Sequence, residues 1–323
     1  MRQAIIPALI AAALLAAVVP AGASAPRAKD DGDKLVLEND HVKVWFQGKK
    51  PMLKVFPAGN ESGGFGYKFD QVVEYRDLDG DGLPSEQEVL SRLSLASASA
   101  FEVNVTETEE RAVLNLTLTA PVKLAGAKAL DNLSLPSTPA DRSATVRLSF
   151  TIWSQDAEVD ANGTTIQVPA TSIKYDFAVD RWPLLDAQNG RLALDMQLQG
   201  EAAAGEDGEA DIEANGTRVG VMTWTSEAQG TTAAGENVTV PVKAKVAGGN
   251  GSRVVFTYDA ANLATLVHDP TLGVAGDEGE GGVGGESGGG TSGARSEAPG
   301  PGVLLVAGAA GAVALAVRRK TMR

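Results

Sequence analysis

The chain has 323 residues, no cysteine and a formal net charge of −13. That length suffices for one large or two ordinary domains with real cores. The absent thiols exclude disulfide scaffolding, thiolate zinc sites, thiol catalysis and redox switching. The acidic balance argues against nucleic acid as a partner, because phosphate binding needs the opposite sign.

Met1 to Ala25 reads as a targeting segment. Arg2 supplies a basic start, Ala4 to Val19 is an apolar run, and Pro20-Ala21-Gly22-Ala23 supplies small residues. Residues 1–23 are therefore expected to be a signal peptide cleaved after Ala23, where Ala21 and Ala23 satisfy an A-x-A rule. Cleavage after Ala25 would place Pro26 just beyond the scissile bond. An uncleaved anchor is the alternative. Residues 24–33, with the charged stretch from Ala28 to Lys34, read as a linker.

From residue 34 to 120 the pattern is β-rich. Val42–Phe46 and Met52–Phe56 flank a Gly48-Lys49-Lys50-Pro51 turn and predict a hairpin. Tyr67 to Tyr75 places Tyr67, Phe69, Val73 and Tyr75 at odd positions, and Phe101–Val105 and Arg111–Thr119 alternate similarly. The one persuasive helix is Ser85 to Leu93, where Ser85 and Glu88 form a capping-box pair. Ala120 to Asp141, with three prolines, is the best internal boundary; 121–141 is a linker between modules or a long loop on one large sandwich.

In residues 142–275, Ala144–Trp153 alternates most cleanly, with Val146, Leu148, Phe150 and Ile152 on one face. Further strands are expected at Thr165–Val168, Ile173–Val179, Leu192–Leu198, Thr217–Trp224, Val238–Val242 and Arg253–Tyr258. About a dozen short strands between Gly, Asn and Pro turns predict a mainly β fold, an antiparallel β-sandwich of one large or two modules with one short helix.

Residues 276–301 hold eleven glycines among Glu, Ser and Thr, a composition that builds no core and reads as a flexible stalk. Residues 302–317 are apolar or small and are expected to form a transmembrane helix, with the basic tail 318–323 in the cytoplasm. Together the two ends predict a single-pass cell-membrane protein with its body outside. Without Arg2 and the tail, 23 basic face 41 acidic residues, a net −18. That charge suits divalent cations or a cationic partner.

Asparagine usage supports the same orientation. Eight of eleven asparagines begin an N-x-S/T triplet: Asn60, Asn104, Asn115, Asn132, Asn162, Asn215, Asn237 and Asn250. Chance would supply roughly one. Dense sequons without cysteine lean towards an archaeal cell surface. The C-terminus resembles archaeal PGF-CTERM-type sorting tails, with Pro299-Gly300-Pro301-Gly302 in place of the phenylalanine-bearing motif. The resemblance implies either replacement of the tail by a lipid or its retention as an anchor.

The stretch with the sharpest chemistry is Asp77-Leu78-Asp79-Gly80-Asp81-Gly82-Leu83-Pro84-Ser85-Glu86-Gln87-Glu88. Acids at loop positions 1, 3, 5 and 12 and glycine at 6 match the oxygen-donor pattern of a calcium loop. It resembles EF-hand-type and dockerin-like DxDxDG loops, and more closely the Asp-rich DxDGDGL loops of calcium-binding surface proteins. The resemblance implies Ca2+ held by Asp77, Asp79, Asp81, the Leu83 carbonyl, Ser85 directly or through water, and Glu88 bidentately. Pro84 lacks the N–H through which paired EF-hands bond, and no second such loop exists. A lone structural clamp is therefore expected; a solvated turn beside a helix cap is the plainer alternative.

No catalytic residue or organic cofactor is predicted. The phosphate-binding G-x-x-x-x-G-K-[ST] and H-E-x-x-H are absent. The two histidines, His41 and His268, stand in turn contexts, and Trp45, Trp153, Trp182 and Trp224 read as sheet packing before carbohydrate stacking. The functional expectation is a calcium-binding, N-glycosylated surface protein with a structural or adhesive role, its partners the membrane and other envelope proteins or carbohydrate. The alternative is a glycosidase-like extracellular hydrolase using a carboxylate pair.

Overall fold

The structure, a computed structural model, describes residues 24–30, 34–48, 50–97, 101–125, 142–161, 164–204, 208–247, 252–260 and 262–274. The expected signal peptide, stalk, transmembrane helix and tail, and the sequons at Asn132, Asn162 and Asn250, lie outside them.

The described chain is antiparallel β throughout. Its strands are β1 (Arg27–Asp30), β2 (Lys34–Glu38), β3 (Val42–Gln47), β4 (Met52–Pro57), β5 (Phe65–Tyr75), β6 (Val89–Ser94), β7 (Glu102–Glu107), β8 (Arg111–Pro121) and β9 (Lys123–Leu124). After the Ala120–Asp141 segment come β10 (Ser143–Trp153), β11 (Ala157–Ala161), β12 (Thr164–Val168), β13 (Ser172–Asp180), β14 (Arg191–Gln199), β15 (Glu201–Ala204) and β16 (Glu209–Ala214). The remaining strands are β17 (Thr217–Thr223), β18 (Glu227–Thr232), β19 (Asn237–Ala247), β20 (Arg253–Tyr258), β21 (Leu263–His268) and β22 (Thr271–Val274).

Twenty of them form one large, nearly closed sheet; β11 and β12 make a separate hairpin. One layer runs β1-β2-β3-β4-β5-β14-β20-β19. The other runs β7-β8-β10-β13 and continues through β21 and β22. β19 belongs to both, pairing with β18 through its first half and with β20 through its second. Strands from both sides of the 121–141 segment share these layers, since β5 pairs with β14 and β8 with β10. These pairings build one assembly and not two separate modules.

The alternation of β10 explains the main core. Val146, Leu148, Phe150 and Ile152 are fully buried, whereas Arg147 between them is exposed and Ser149 half-buried. Phe150 meets Phe46 edge-on at 4.8 Å and Phe69 at 5.8 Å, and Tyr175 meets Phe69 at 5.3 Å, geometries that aromatic quadrupoles favour.

Two expectations are corrected. Among the described residues there is no helix: the segment Ser85–Leu93 makes one turn and then enters strand β6. Half of the capping box forms, since the Ser85 N–H donates to Glu88 Oε2 at 3.1 Å, and the Glu88 and Val89 N–H groups both donate to the Ser85 carbonyl at 3.0 and 3.1 Å. One turn satisfies little of the backbone, whereas pairing with β5 from Gln71↔Ser94 to Tyr75↔Val89 satisfies a whole segment. The second correction concerns β5. Asp70 is an extra residue, because Phe69 opposes Met196 while Gln71 opposes Asp195. This bulge reverses the facing of the residues beyond it. Tyr67, Phe69 and Val72 point into the main core; Val73 and Tyr75 point to the opposite face.

Candidate metal site

The reversed end of β5 sets the position of the acidic loop. Val73 and Tyr75 join Val89, Ala193 and Val255 in a small second apolar cluster, and Leu83 folds back onto it. The β5–β6 connection is thereby laid over the sheet instead of projecting from it. Its base is closed by the Arg76 N–H to the Glu88 carbonyl at 3.0 Å, and Tyr75 Oη donates to the Gly82 carbonyl at 3.3 Å.

Within the loop each aspartate folds back on the backbone. Asp77 Oδ1 accepts from the Gly82 N–H at 3.1 Å, Asp79 Oδ1 from the Asp81 N–H at 3.1 Å, and Asp81 Oδ1 from the Leu83 N–H at 2.6 Å. Such turns are a native habit of Asp. Gly80 and Gly82 adopt φ of +78° and +74°, a conformation side-chain-bearing residues avoid. The result draws carboxylate oxygens of Asp77, Asp79 and Asp81 to within 4.8 Å of one another. Asp79 and Asp81 are exposed and Asp77 is half-buried. Arg191 of β14 pairs with Asp77 and also reaches Asp259 at 3.3 Å, so the loop is tied to two neighbouring strands' ends.

Of the four carboxylates among the six expected donors, the structure brings these three together. Glu88 has another task. It is buried, with Oε1 accepting from the Leu78 N–H at 2.7 Å and Oε2 from the Ser85 N–H and hydroxyl at 3.1 and 2.7 Å. Ser85 is thus turned to Glu88, and the Leu83 side chain packs into the second cluster. Three hard oxygen ligands from one turn suit a cation that completes its shell with carbonyls or water.

Beside the loop lies a group of carboxylates that sequence reasoning missed. Glu74 is fully buried; Oε1 accepts from the Leu185 and Asp186 N–H groups at 2.6 and 2.9 Å and Oε2 from Ser91 Oγ at 2.8 Å. Burial pushes its carboxyl above the ordinary value, against the pull of those hydrogen bonds. Asp186 pairs with Arg76 and accepts the Gln188 and Asn189 N–H groups at 3.2 and 3.1 Å. Gly190 closes this corner, where a Cβ would strike the Asp186 carbonyl. On the loop's other side a cleft of about 350 Å³ is floored by Asp195, which takes a bidentate contact from Arg253 at 2.7 and 2.8 Å.

Of the remaining sequence candidates, His268 and the four tryptophans are packing residues. His268 is fully buried, its Nδ1 3.0 Å from Tyr258 Oη and its Nε2 3.3 Å from the Thr225 carbonyl; burial holds its pKa down to about 4. His41 sits exposed in the β2–β3 turn. Trp153 and Trp182 are buried, Trp224 packs edge-on against Phe256, and Trp45 lies against Phe56 with Lys34 over its ring at 4.2 Å. Of the described sequon asparagines, Asn60, Asn104, Asn215 and Asn237 are exposed and Asn115 is half-buried.

No protein-family profile matches the chain, and no curated protein does. Among solved structures, YeaD from Salmonella typhimurium, a candidate mutarotase, aligns over 78% of this chain and 94% of its own, at 11% identity and a TM-score of 0.33. A FadL homologue from Pseudomonas aeruginosa aligns over 74% of this chain and 66% of its own, at 10% identity and a TM-score of 0.10. At those scores neither likeness carries an argument.

Proposed function

We propose that this chain is a membrane-anchored, N-glycosylated cell-surface protein of an archaeal-type envelope, with a structural or adhesive role and one structural Ca2+ in the Asp77–Glu88 loop. The observation that carries the calcium reading is the convergence of Asp77, Asp79 and Asp81 on a turn shaped by two positive-φ glycines. Like charges so close repel, and a divalent cation turns that repulsion into attraction. The loop covers the second apolar cluster and is tethered to β14, so an ion there would brace a cap and not move a switch. The exposed sequon asparagines support glycosylation, and the apolar C-terminal segment with its basic tail supports anchoring.

Calcium added to the purified, chelator-treated protein is expected to raise Tm, and Asp79→Ala to abolish that increment. The absence of any calcium-dependent shift would refute the metal reading. Extracellular sites with Kd of about 10⁻⁴–10⁻³ M are filled in use, so titration must extend to about 10 mM.

A further inference from the structure

The beginning of the described chain is seated on a prepared acceptor. Pro26 is buried and Ala28 packs against the main core, which fixes the path of the chain into β1. Ser24 and Ala25, just before, are exposed. They reach back to the β2–β3 turn, where the Ser24 backbone N–H donates to Asp40 Oδ2 at 2.7 Å. That turn is rigid because of Asn39. Its Nδ2 donates to the Trp153 and Ala170 carbonyls at 2.6 and 2.9 Å, and its Oδ1 accepts the His41 and Val42 N–H groups at 2.7 and 2.6 Å. Asn39 is buried while Asp40 beside it is exposed, so a carboxylate is presented outward from an anchored base.

We propose that the leader is hydrolysed between Ala23 and Ser24, and that the Ser24 α-ammonium so formed is held by the Asp40 carboxylate as a salt bridge pinning the start of β1. This docking rests on the protein being exported and adds to that reading a site for the new terminus. A leader peptidase adds water across the amide: Ala23 leaves as a carboxylate, and the Ser24 amine takes up a proton. A neutral N–H donor then becomes a charged one, and hydrogen bonds between ionised partners are the stronger kind.

The geometry also separates the two cleavage sites that the small residues allow. Cutting after Ala25 would put a cationic terminus on Pro26, which is buried, and an unpaired buried charge is costly. Cutting after Ala23 puts it on an exposed residue beside an acceptor. The Ser24 hydrogen bonds already hold the Asp40 carboxyl below its ordinary value, with His41 acting in the same direction; the other charged groups beside this segment are Arg27, Lys29, Glu107 and Glu109, which line a cleft with Ala25 and Pro26. β1 has reason to need the staple, since it is a four-residue strand with mostly exposed side chains, laddered to β2 from Arg27↔Glu38 to Asp30↔Leu35.

Two measurements on protein purified from the producing cell's membranes test the proposal. Amino-terminal sequencing is expected to begin at Ser24. A chain that still begins at Met1 would overturn the processing and with it the docked terminus, while an uncleaved anchor would leave export standing. One that begins at Pro26 would overturn the proposal and leave export standing. The pH dependence of acetic anhydride reaction at the α-amine is then read on the tryptic peptide Ser24–Arg27. The amine is expected to titrate above the usual value of about 8 and to react a few-fold more slowly at pH 8 than in Asp40→Asn. Equal rates in the two proteins would overturn the docking of the terminus while leaving the cleavage site in place.

Discussion

At the end of β5 two groups of carboxylates lie a few residues apart and are satisfied in opposite ways. Glu74 and Asp186 are buried and spend their oxygens on backbone N–H groups, Ser91 and Arg76. Asp77, Asp79 and Asp81 each give one oxygen to a backbone N–H and turn together, with Arg191 as the nearby cation that meets Asp77. The first group closes a corner with protein donors. The second concentrates negative charge in a turn that has too few donors to balance it. The difference separates a carboxylate that holds a fold from one that suits a metal: donors saturate the former, while neighbouring carboxylates crowd the latter.

The largest expected effect breaks the saturated group. Glu74→Ala leaves two buried N–H groups and the Ser91 hydroxyl without their acceptor, a loss of about 3 kcal/mol. For a domain of this size that lowers Tm by roughly 6–12 °C. The loss should be the same with and without calcium, and thermal melts in both conditions check it. Glu74→Gln keeps an acceptor for the N–H groups and should recover much of it. Next comes the open group. Calcium at about 100-fold over its Kd stabilises by about 2.7 kcal/mol, and Asp79→Ala should remove that increment while costing little in chelator. If Glu74→Ala removed the increment as well, the two groups would be one site and the contrast would fail.

Much of the β pattern was legible because its cause is local. The alternation of β10, and the boundaries of β20 from Arg253 to Tyr258, come from side chains taking opposite faces of a strand. The three aspartates were legible for a similar reason, since D-x-D-x-D-G spacing closes its own turns. The illegible features depend on partners distant in sequence. Leu90 and Leu93 next to a capping pair suit a helix by propensity, and only the open edge of β5 makes them a strand. Tyr75 changes face because β14 opposes β5 with one residue fewer at Asp70. Glu74 is a polar residue within an alternating strand; its burial comes from that same bulge and from a loop 112 residues later. Glu88 matched the bidentate position of a calcium loop, yet its place beneath Leu78 and Ser85 makes it a clasp.

A smaller effect contrasts two glycines. Gly82 is needed for its φ of +74°, and a Cβ there would make only ordinary contact with the end of Lys245. Gly82→Ala should cost about 1 kcal/mol from backbone conformation alone. Gly190 has no such φ, but a Cβ would strike the Asp186 carbonyl and lie 3.1 Å from Glu74 Oε1. Gly190→Ala should therefore cost more than Gly82→Ala, because the donors that saturate Glu74 must shift. Urea midpoints of the two variants give the comparison directly; an equal cost would mean that the Glu74 corner yields easily.

The smallest effect is a slope with pH, and its sign is set by burial. The Glu74 carboxyl is raised in the folded protein because desolvation outweighs its hydrogen bonds. In the unfolded chain it titrates near the ordinary value for glutamate. Between those two values the native state holds a proton that the unfolded state has lost. The contribution of Glu74 to stability is therefore fully present below the unfolded value and declines as pH rises through the native one, above which it is constant. Glu74→Gln cannot titrate, so the wild type should lose stability relative to that variant as pH rises above the ordinary glutamate range. Urea unfolding of both proteins across that rise measures the difference. A difference that stayed flat would show that the hydrogen bonds from Leu185, Asp186 and Ser91 fully offset burial. A difference of opposite sign would mean that the Glu74 site prefers the anion.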